Sequence, residues 1–383
     1  MKVLMAAHTA TLLDGAARST LEMAASLARL EVEITVAVPA LGALSEALER
    51  RGVPTVELPY GLATRPRSPA GVERGLHGLN AITGYLDSHR PDVVATRTAF
   101  LPWFAFAAAL VGVPHAWFVA EEATADGGVD LYPSREDTLR AIDAYSEAVF
   151  VPSHHLQARY RELLTTEPAV LAPAFDPDLE RHARPPETET TDTPRAIVYG
   201  SIHAGKRIHE VVEAIAVLRN RGVQLRLTVL GLPADLDYVR ELRRIARDEQ
   251  ILDLVEFAPH AEDPLPIVAQ HDIVIVPSAG DGASRTAVEG MLMRKGVLCS
   301  DSAANLEAVG AHEGIGLLYR SGDPRSLAGQ LETLVADRTR MREMALRGGA
   351  YAHAEYVERD TAAAVAAAAK KGLEEIADAG RPR

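Results

Sequence analysis

The feature that most constrains this chain is a repeated alternation of short apolar segments with longer amphipathic ones. In the first half, the apolar runs have strand length and are rich in β-branched residues, and amphipathic stretches such as residues 16–30 lie between them. These runs lie at residues 3–7, 34–38, 55–58, 93–95, 115–119 and 149–151. Alternating strands and helices predict a parallel sheet that is covered by helices on both faces.

The same alternation restarts after a segment of different composition. Residues 176–194 are rich in Pro, Glu, Thr and Arg, which cannot build an apolar core and are typical of a solvated linker. Beyond it, strands are predicted at 196–199, 225–230, 255–257, 273–276 and 297–299, and helices at 207–221, 236–247 and 285–293. The 383 residues therefore predict two Rossmann-like α/β domains of similar size, at 1–176 and 195–355, joined by a linker at 177–194.

Charge and composition exclude several classes of partner. The formal net charge is -13 and no block of Lys and Arg is present, so a nucleic acid partner is not expected. A compact anion such as pyrophosphate is still compatible with this charge, because a few local donors can bind it.

The chain has one cysteine, Cys299, which excludes an internal disulfide and is expected to be a small buried residue on a strand. The longest apolar stretch, residues 99–113, contains Pro102 and is shorter than the roughly 20 residues that span a bilayer. It predicts a buried helix rather than a transmembrane segment. The first residues are typical of a strand and show no export signal, so we expect a cytoplasmic protein.

Three turns between a predicted strand and a predicted helix are candidate ligand sites, because ligands of open α/β sheets bind beyond the carboxyl ends of strands. The first turn follows residue 7 and contains His8 and Gly15; Gly15 admits a phosphate or simply shapes the turn. The second contains Gly200, Ser201, Gly205 and Lys206. Lys206 is a candidate ligand for a diphosphate, with a solvated lysine as the alternative.

The third turn is the most informative. Asp281 lies in the loop before a predicted helix, and Glu289 lies eight positions later in the second turn of that helix. A carboxylate accepts hydrogen bonds from vicinal hydroxyls such as those of a ribose or a hexopyranose. This spacing predicts two acids facing one cleft.

At this turn the sequence resembles the family 4 retaining glycosyltransferases of GT-B fold. Their signature E-G-F-G-R-x-x-x-E-A-M corresponds to D-G-A-S-R-T-A-V-E-G-M at residues 281–291, with the spacing intact. Four further segments resemble family motifs. Residues 200–206 resemble G-R-x-x-x-x-K-G, and residues 300–307 resemble S-x-x-G-G-x-x-E. Residues 314–324 resemble N-G-x-L-x-x-x-x-D-P, and residues 14–18 resemble G-G-A-E-R. The resemblance covers the whole second domain and, more loosely, the first.

The resemblance implies two Rossmann-like, doubly wound domains that face a central cleft, with the acceptor bound by the first domain and the donor by the second. It also implies that a C-terminal helix at 356–383, helical by its Ala-rich composition, packs back on the first domain. The implied activity is transfer of a sugar, with retention of configuration, from a nucleoside diphosphate sugar to a small acceptor. UDP is favoured on family frequency alone.

The resemblance further implies residue roles. Lys206 would bind the donor diphosphate, Glu289 the ribose hydroxyls and Asp281 the hydroxyls of the transferred sugar. The remaining donor contacts would come from the two glycine turns, from the start of the third turn's helix and from the strand beside the base: Gly15, Ala16, Gly200, Ser201, Phe257, Gly282, Ala283, Ser284, Arg285 and Thr286. No tightly bound cofactor or metal is implied, because Lys206 and helix N-termini supply positive potential. Asp235 and Asp237 form a D-x-D pattern, for which an ordinary helix cap is the favoured interpretation.

Departures from the family pattern leave alternatives open. Asp281 is one methylene shorter than the usual Glu, and Ser201 and Gly205 stand where the family often has Arg. Phe118 replaces a histidine of the family's W-H-x-R-E segment. A non-catalytic nucleotide-sugar-binding or partner protein of the same fold is therefore the alternative to an enzyme.

Acceptor contacts are the least defined part of the sequence. His8, Phe118, Glu121 and Glu122 are the acceptor candidates, with solvated acids as the alternative for the two glutamates. The Ala- and Arg-rich composition is typical of a GC-rich bacterial source. A specialised metabolite, as in antibiotic biosynthesis, is a reasonable acceptor, and lipid and cell-wall acceptors stay open, as does the choice between monomer and homodimer.

Overall fold

The computed structural model describes residues 1–12, 15–63, 69–120, 134–173, 175, 177–189, 192–261, 263–278, 282–310, 313–358 and 361–379. The chain divides into two compact units, residues 1–174 with 360–383 and residues 175–359. The boundary predicted after residue 176 lies two residues beyond the first of these divisions.

The first unit is built on a seven-stranded parallel sheet in the order β3-β2-β1-β4-β5-β6-β7. Its strands are β1 Lys2–Ala6, β2 Glu33–Val38, β3 Thr55–Glu57, β4 Val93–Arg97, β5 His115–Phe118, β6 Ala148–Val151 and β7 Ala169–Val170. The helices between them are α1 Gly15–Arg29, α2 Ala43–Glu49, α3 Pro69–His89, α4 Pro102–Val111, α5 Arg135–Tyr145 and α6 His154–Arg161.

Both faces of this sheet are covered by helices. Val3 and Met5 of β1 belong to one apolar cluster, and Leu4 and Ala6 belong to another. Because successive side chains of a strand point to opposite faces, the two clusters lie on opposite sides of the sheet. The β-branched runs of the sequence therefore form central strands that are buried on both sides.

The second unit is built on a six-stranded parallel sheet in the order β10-β9-β8-β11-β12-β13. Its strands are β8 Arg195–Tyr199, β9 Arg226–Leu230, β10 Val255–Ala258, β11 Ile273–Val276, β12 Gly296–Ser300 and β13 Leu317–Tyr319. Its helices are α7 Ile208–Asn220, α8 Leu236–Asp248, α9 Leu265–Val268, α10 Arg285–Leu292, α11 Ala303–Asn305, α12 Pro324–Ala336 and α13 Arg338–His353. Short 3₁₀ helices lie at Pro177–His182 and Ala204–Lys206, and π-helical turns at Leu306–Gly310 and Ala354–Glu358.

The prediction of two doubly wound, Rossmann-like domains is confirmed. In the second sheet the strand order reverses between β8 and β11, and a sheet of this kind binds ligands at that switch point. The turns that follow these two strands are the second and third candidate turns of the sequence.

The segment predicted as a solvated linker is partly packed against the second unit. Leu179 is 4% exposed and lies in an apolar cluster with Phe175. The buried Lys295 donates hydrogen bonds to the carbonyl oxygens of Arg184 and Ala269, both at 2.7 Å. These contacts cannot be predicted from the composition of residues 177–194, because a single buried leucine and a hydrogen-bonded backbone carbonyl produce no hydrophobic pattern in a polar segment.

The last helix, α14 Thr361–Ala379, belongs to the first unit. Leu373, Ile376 and Ala377 are buried in the same apolar cluster as β1 and α1, and Lys370 Nζ donates to the carbonyl oxygen of Leu30. The chain therefore returns to its first unit after completing the second.

Two smaller predictions, for Cys299 and Asp235, are confirmed by the structure. Cys299 is fully buried on β12. Asp235 caps α8, since its side chain accepts hydrogen bonds from the backbone N–H groups of Asp237 and Tyr238. Within the described part of the chain, no helix has the length and apolar character that crossing a membrane requires.

Candidate functional site

The second candidate turn is held in place by close backbone packing. Gly200 follows β8 with φ 127, a left-handed conformation that favours glycine, and its N–H donates to the carbonyl oxygen of Leu230 at 3.0 Å. A Cβ on Gly231 would lie 1.6 Å from the carbonyl oxygen of Gly200. Both glycines are therefore required where the ends of β8 and β9 meet.

An ion pair between a partly exposed arginine and a buried glutamate fixes the far side of this turn, next to Lys206. Arg207 has φ 51, and its guanidinium pairs with Glu210, a residue of α7 that is 1% exposed. Tyr319 donates a second hydrogen bond to Glu210 at 2.9 Å. The residue after Lys206 is thus anchored to the core, which limits where the lysine can reach.

The third candidate turn begins after β11 and ends at the start of α10. Asp281 lies outside the described residues. Ser284, the residue before α10, is buried and donates a hydrogen bond to Asn305 Oδ1. Asn305 Nδ2 in turn donates to Ser300 O at 3.0 Å and Ser300 Oγ at 2.9 Å. Gly282 and Ala283 complete the described part of the turn.

Asn305 is a site-supporting residue that the sequence reasoning did not single out. The signal was present, because residues 300–307 are the segment similar to the family's S-x-x-G-G-x-x-E loop. Asn305 is 1% exposed and ties the loop after β12 to the residue that starts α10.

A cavity lies where the second and third turns meet at the carboxyl ends of β8 and β11. It brings together four of the sequence-predicted residues, Gly200, Ser201, Lys206 and Thr286. The rest of its lining is Val198, Tyr199, Ile208, Leu230, Ile275, Val276, Pro277 and Ser278. The cavity thus combines a lysine, the start of α10 and a glycine turn, which together suit a compact anion.

Glu289 lies next to this cavity and is 4% exposed. Tyr199 Oη, from the cavity wall, donates a hydrogen bond to Glu289 Oε2 at 2.9 Å. Arg285 Nε, one helical turn away, donates to Glu289 Oε1 at 2.8 Å. The guanidinium of Arg285 also lies over the Phe175 ring, 4.9 Å from its centre. The carboxylate is therefore held in one orientation by two side chains.

Phe257, predicted to border a nucleotide base, is placed elsewhere. Its side chain packs against the apolar cluster that contains Val255, and the Arg243 guanidinium lies over its ring at 4.8 Å. Residues 255 and 257 are two apart on β10, so they point to the same face of the sheet, towards α8. The structure does not bring Phe257 to the cavity.

The first unit carries the other predicted site residues. His8 follows β1, Gly15 is the exposed first residue of α1, and Ala16 is its second residue. Phe118, at the end of β5, is 6% exposed and stacks on Phe150 with 4.7 Å between ring centres. Glu121 and Glu122 lie outside the described residues.

Arg97 is a cation in this unit that the sequence reasoning missed. It is the last residue of β4, its guanidinium lies over the Phe118 ring at 5.4 Å, and its Nη2 donates to Ser19 Oγ at 2.7 Å. A single arginine at a strand end gives no motif, so only the folded sheet places it beside Phe118 and α1. Among the described residues, no group of three or more His, Cys, Asp and Glu side chains is arranged to hold a metal ion.

Two family models match the chain. The model for glycosyl transferases group 1 matches residues 180–352, and the model for a glycosyl transferase 4-like domain matches residues 14–173. Together they cover most of both units. A sequence search of curated proteins finds no match.

Solved structures share the whole architecture at low sequence identity. HepE from Anabaena, solved in complex with UDP and glucose, has a TM-score of 0.80 at 18% identity, over 98% of this chain and 99% of that one. Sucrose-phosphate synthase from Thermosynechococcus elongatus has a TM-score of 0.80 at 17% identity, over 98% and 100%. S. aureus TarM, solved with UDP, α-GlcNAc-glycerol and fondaparinux, has a TM-score of 0.74 at 9% identity, over 94% and 98%. The fold is that of the GT-B glycosyltransferases.

Proposed function

The chain belongs to the group 1 glycosyltransferases, and we propose that it is a retaining enzyme which transfers a sugar from a nucleoside diphosphate sugar to a small-molecule acceptor. The observation that carries this proposal is the cavity at β8 and β11, where Lys206 lies two residues before α7, Thr286 lies in the first turn of α10 and Glu289 lies alongside. A lysine and a helix N-terminus stabilise the negative charge that develops on a departing diphosphate.

The proposed residue roles follow from this arrangement. Lys206 binds the diphosphate, with Gly200, Ser201 and the backbone from Gly282 to Thr286 around it. Glu289 accepts hydrogen bonds from the ribose, and Asp281 accepts them from the transferred sugar. In the proposed front-face route, the acceptor oxygen bonds to the anomeric carbon on the face from which the diphosphate leaves, and the acceptor's proton passes to the leaving phosphate oxygen.

UDP is the proposed nucleotide. HepE has been solved with UDP and with UDP-glucose, and TarM with UDP. These complexes support UDP for a chain of the same family and fold. For the acceptor we propose a specialised metabolite, bound by the first unit through His8, Phe118, Glu121 and Glu122, and we propose Gly15 and Ala16 as donor contacts.

We propose that catalysis needs no metal ion. Lys206 and the backbone N–H groups at the start of α10 supply positive potential at the place where a divalent cation would otherwise act. Turnover that persists in excess EDTA is the expected result, and loss of turnover that Mg²⁺ or Mn²⁺ restores would contradict this part of the proposal.

The experiment that tests the function is release of UDP from UDP-sugars in the presence of a panel of acceptors. Lys206→Ala is expected to lower kcat/KM by about 100-fold or more, because it removes charge stabilisation from the leaving group. UDP at 100 times its Kd should raise the free energy of unfolding by about 2.7 kcal/mol, which is measured as a rise in melting temperature. Glu289→Ala is expected to abolish this rise.

Lys371→Ala and Glu375→Ala are the matched controls. These two residues form an exposed ion pair on α14, with side chains 79% and 67% exposed, so removing either one should leave turnover unchanged. If Lys206→Ala kept its activity within about threefold of wild type, the proposed role of the lysine would be wrong. Binding of UDP without release from any UDP-sugar would favour the non-catalytic alternative.

A further inference from the structure

Both carboxylate oxygens of Glu289 accept a hydrogen bond from the protein's own side chains. Tyr199 Oη donates to Oε2 at 2.9 Å, and Arg285 Nε donates to Oε1 at 2.8 Å. The Glu289 side chain is 5% exposed and that of Arg285 is 13% exposed, so little water reaches this pair. The carboxylate therefore depends on these two donors.

The Tyr199 hydroxyl donates to this carboxylate the same kind of hydrogen bond that a sugar hydroxyl would donate. An ionised carboxylate can only accept hydrogen bonds, so the phenol must be the donor, as a ribose hydroxyl would be. Tyr199 lines the cavity, whereas Glu289 is not among its lining residues. The phenol thus occupies the cavity side of the carboxylate.

Arg285 cannot easily move aside to change this arrangement. It lies four residues before Glu289 on α10, which places the two side chains on one face of the helix, and its guanidinium is stacked on Phe175 at 4.9 Å. Oε1 therefore accepts from the arginine. Oε2 has two lone pairs, of which Tyr199 takes one and a ligand in the cavity can take the other.

We propose that the Tyr199 hydroxyl takes the place, on Glu289, of one of the two ribose hydroxyls of the donor. Glu289 then forms a hydrogen bond with a single ribose hydroxyl, and the site binds a deoxyribonucleoside diphosphate sugar about as tightly as the ribonucleoside form. This inference rests on the proposed function, in which Glu289 faces the ribose. Tyr199 is on this view a specificity-determining residue for the class of nucleotide.

The physical reason is the cost of a buried acceptor without a donor. A site that needs a substrate hydroxyl to satisfy its own buried groups rejects the analogue that lacks it. With Tyr199 in place, Oε2 is satisfied by either nucleotide. Without the phenol, both donors to Oε2 must come from the ribose, so the loss of either ribose hydroxyl leaves this oxygen one donor short.

Calorimetric titration of wild type and Tyr199→Phe with UDP, 2′-deoxy-UDP and 3′-deoxy-UDP tests the inference. In wild type, one of the two deoxy nucleotides should bind within about threefold of UDP, because the phenol replaces the missing hydroxyl. In Tyr199→Phe, both deoxy nucleotides should bind at least about tenfold more weakly than UDP.

Tyr60→Phe is the matched control, since it removes another buried phenol hydroxyl, one that lies 2.6 Å from the carbonyl oxygen of Ala7 in the first unit. It should lower stability and leave the ratios of the three affinities as in wild type. If wild type binds UDP and rejects both deoxy nucleotides more than about tenfold, the inference is overturned and the proposed function stands. If UDP fails to bind, or binds Glu289→Ala equally well, the proposed function and this inference are both overturned. The wild-type ratios decide the matter even if Tyr199→Phe does not fold.

Discussion

Arg207 makes two opposing contributions to stability: its backbone conformation is strained, and its side chain neutralises a buried carboxylate. Its φ of 51 lies in the left-handed region, which costs a non-glycine residue roughly 1–2 kcal/mol. Its guanidinium pairs with Glu210, whose side chain is 2% exposed and also accepts a hydrogen bond from Tyr319 Oη at 2.9 Å.

Arg207→Gly is expected to destabilise the protein by about 2 kcal/mol. The substitution relieves the strain, but it leaves the buried Glu210 carboxylate without its cation, and an uncompensated buried charge typically costs about 3–5 kcal/mol. Urea unfolding at neutral pH measures the difference. The double variant Arg207→Gly with Glu210→Gln should recover at least half of the loss, because a neutral amide needs no cation. A single variant that is more stable than wild type would show that the strain outweighs the pair.

At the site, the sequence predicts the residues that belong to local motifs and misses those that depend on tertiary pairing. Lys206 belongs to the second candidate turn and Glu289 to the helix after the third, and the structure places both beside the switch between β8 and β11. The bond between Tyr199 and Glu289 joins residues 90 positions apart, and no single-sequence pattern carries it. The role of Phe257 beside a base is implied by the family resemblance alone, and in the structure its side chain packs with Val255 on the face towards α8.

At the scale of elements, the sequence predicts the central strands best. The run at 273–276 coincides with β11, because four consecutive β-branched residues between polar turns are typical of a strand that is buried on both faces. The edge strands β7 and β13 have two and three residues and were not predicted. They are too short to show a period, and pairing with β6 and β12 is what makes them strands.

His115 connects three elements of the first unit. It is 1% exposed on β5, its Nε2 lies 2.7 Å from Thr96 Oγ1 on β4, and its Nδ1 lies 3.1 Å from Ser146 Oγ between α5 and β6. Burial lowers the pKa of His115 from 6.5 to about 3. The folded state therefore keeps the imidazole neutral at a pH where the unfolded chain binds a proton.

Acidification from pH 7 to 5 is expected to cost about 2 kcal/mol of unfolding free energy through His115 alone. Between the two pKa values the unfolded state binds more protons than the folded state, so stability falls as pH falls through this window, by about 1.4 kcal/mol per unit. His115→Gln should be less stable at pH 7 but lose about 2 kcal/mol less than wild type on going to pH 5. Urea unfolding at both pH values measures this, and His77→Gln, exposed on α3, is the control for removal of a histidine. An unchanged loss in His115→Gln would contradict the assignment.

At the scale of the whole molecule, the chain leaves its first unit once and returns to it at the end. Residues 175–359 form the second unit, and α14 then completes the first. Gly372 marks a close approach in this helix, because a Cβ there would lie 2.7 Å from Cζ of Phe150. The stability of the first unit therefore depends on residues that are more than 180 positions away from the rest of it in sequence.

Leu373→Ala is expected to destabilise the first unit and leave the second unchanged. Leu373 is fully buried in the cluster with β1, β2 and α1, and truncation of a buried leucine typically costs about 2–5 kcal/mol. Amide hydrogen exchange should become faster in β1, β2 and β4 of the variant, while β8, β9 and β11 keep their protection. Leu346→Ala is the matched control, since Leu346 is 39% exposed on α13 and loses little burial. Equal acceleration in both sheets would show that α14 stabilises the molecule as one cooperative body, and no acceleration in the first sheet would show that the helix contributes nothing to it.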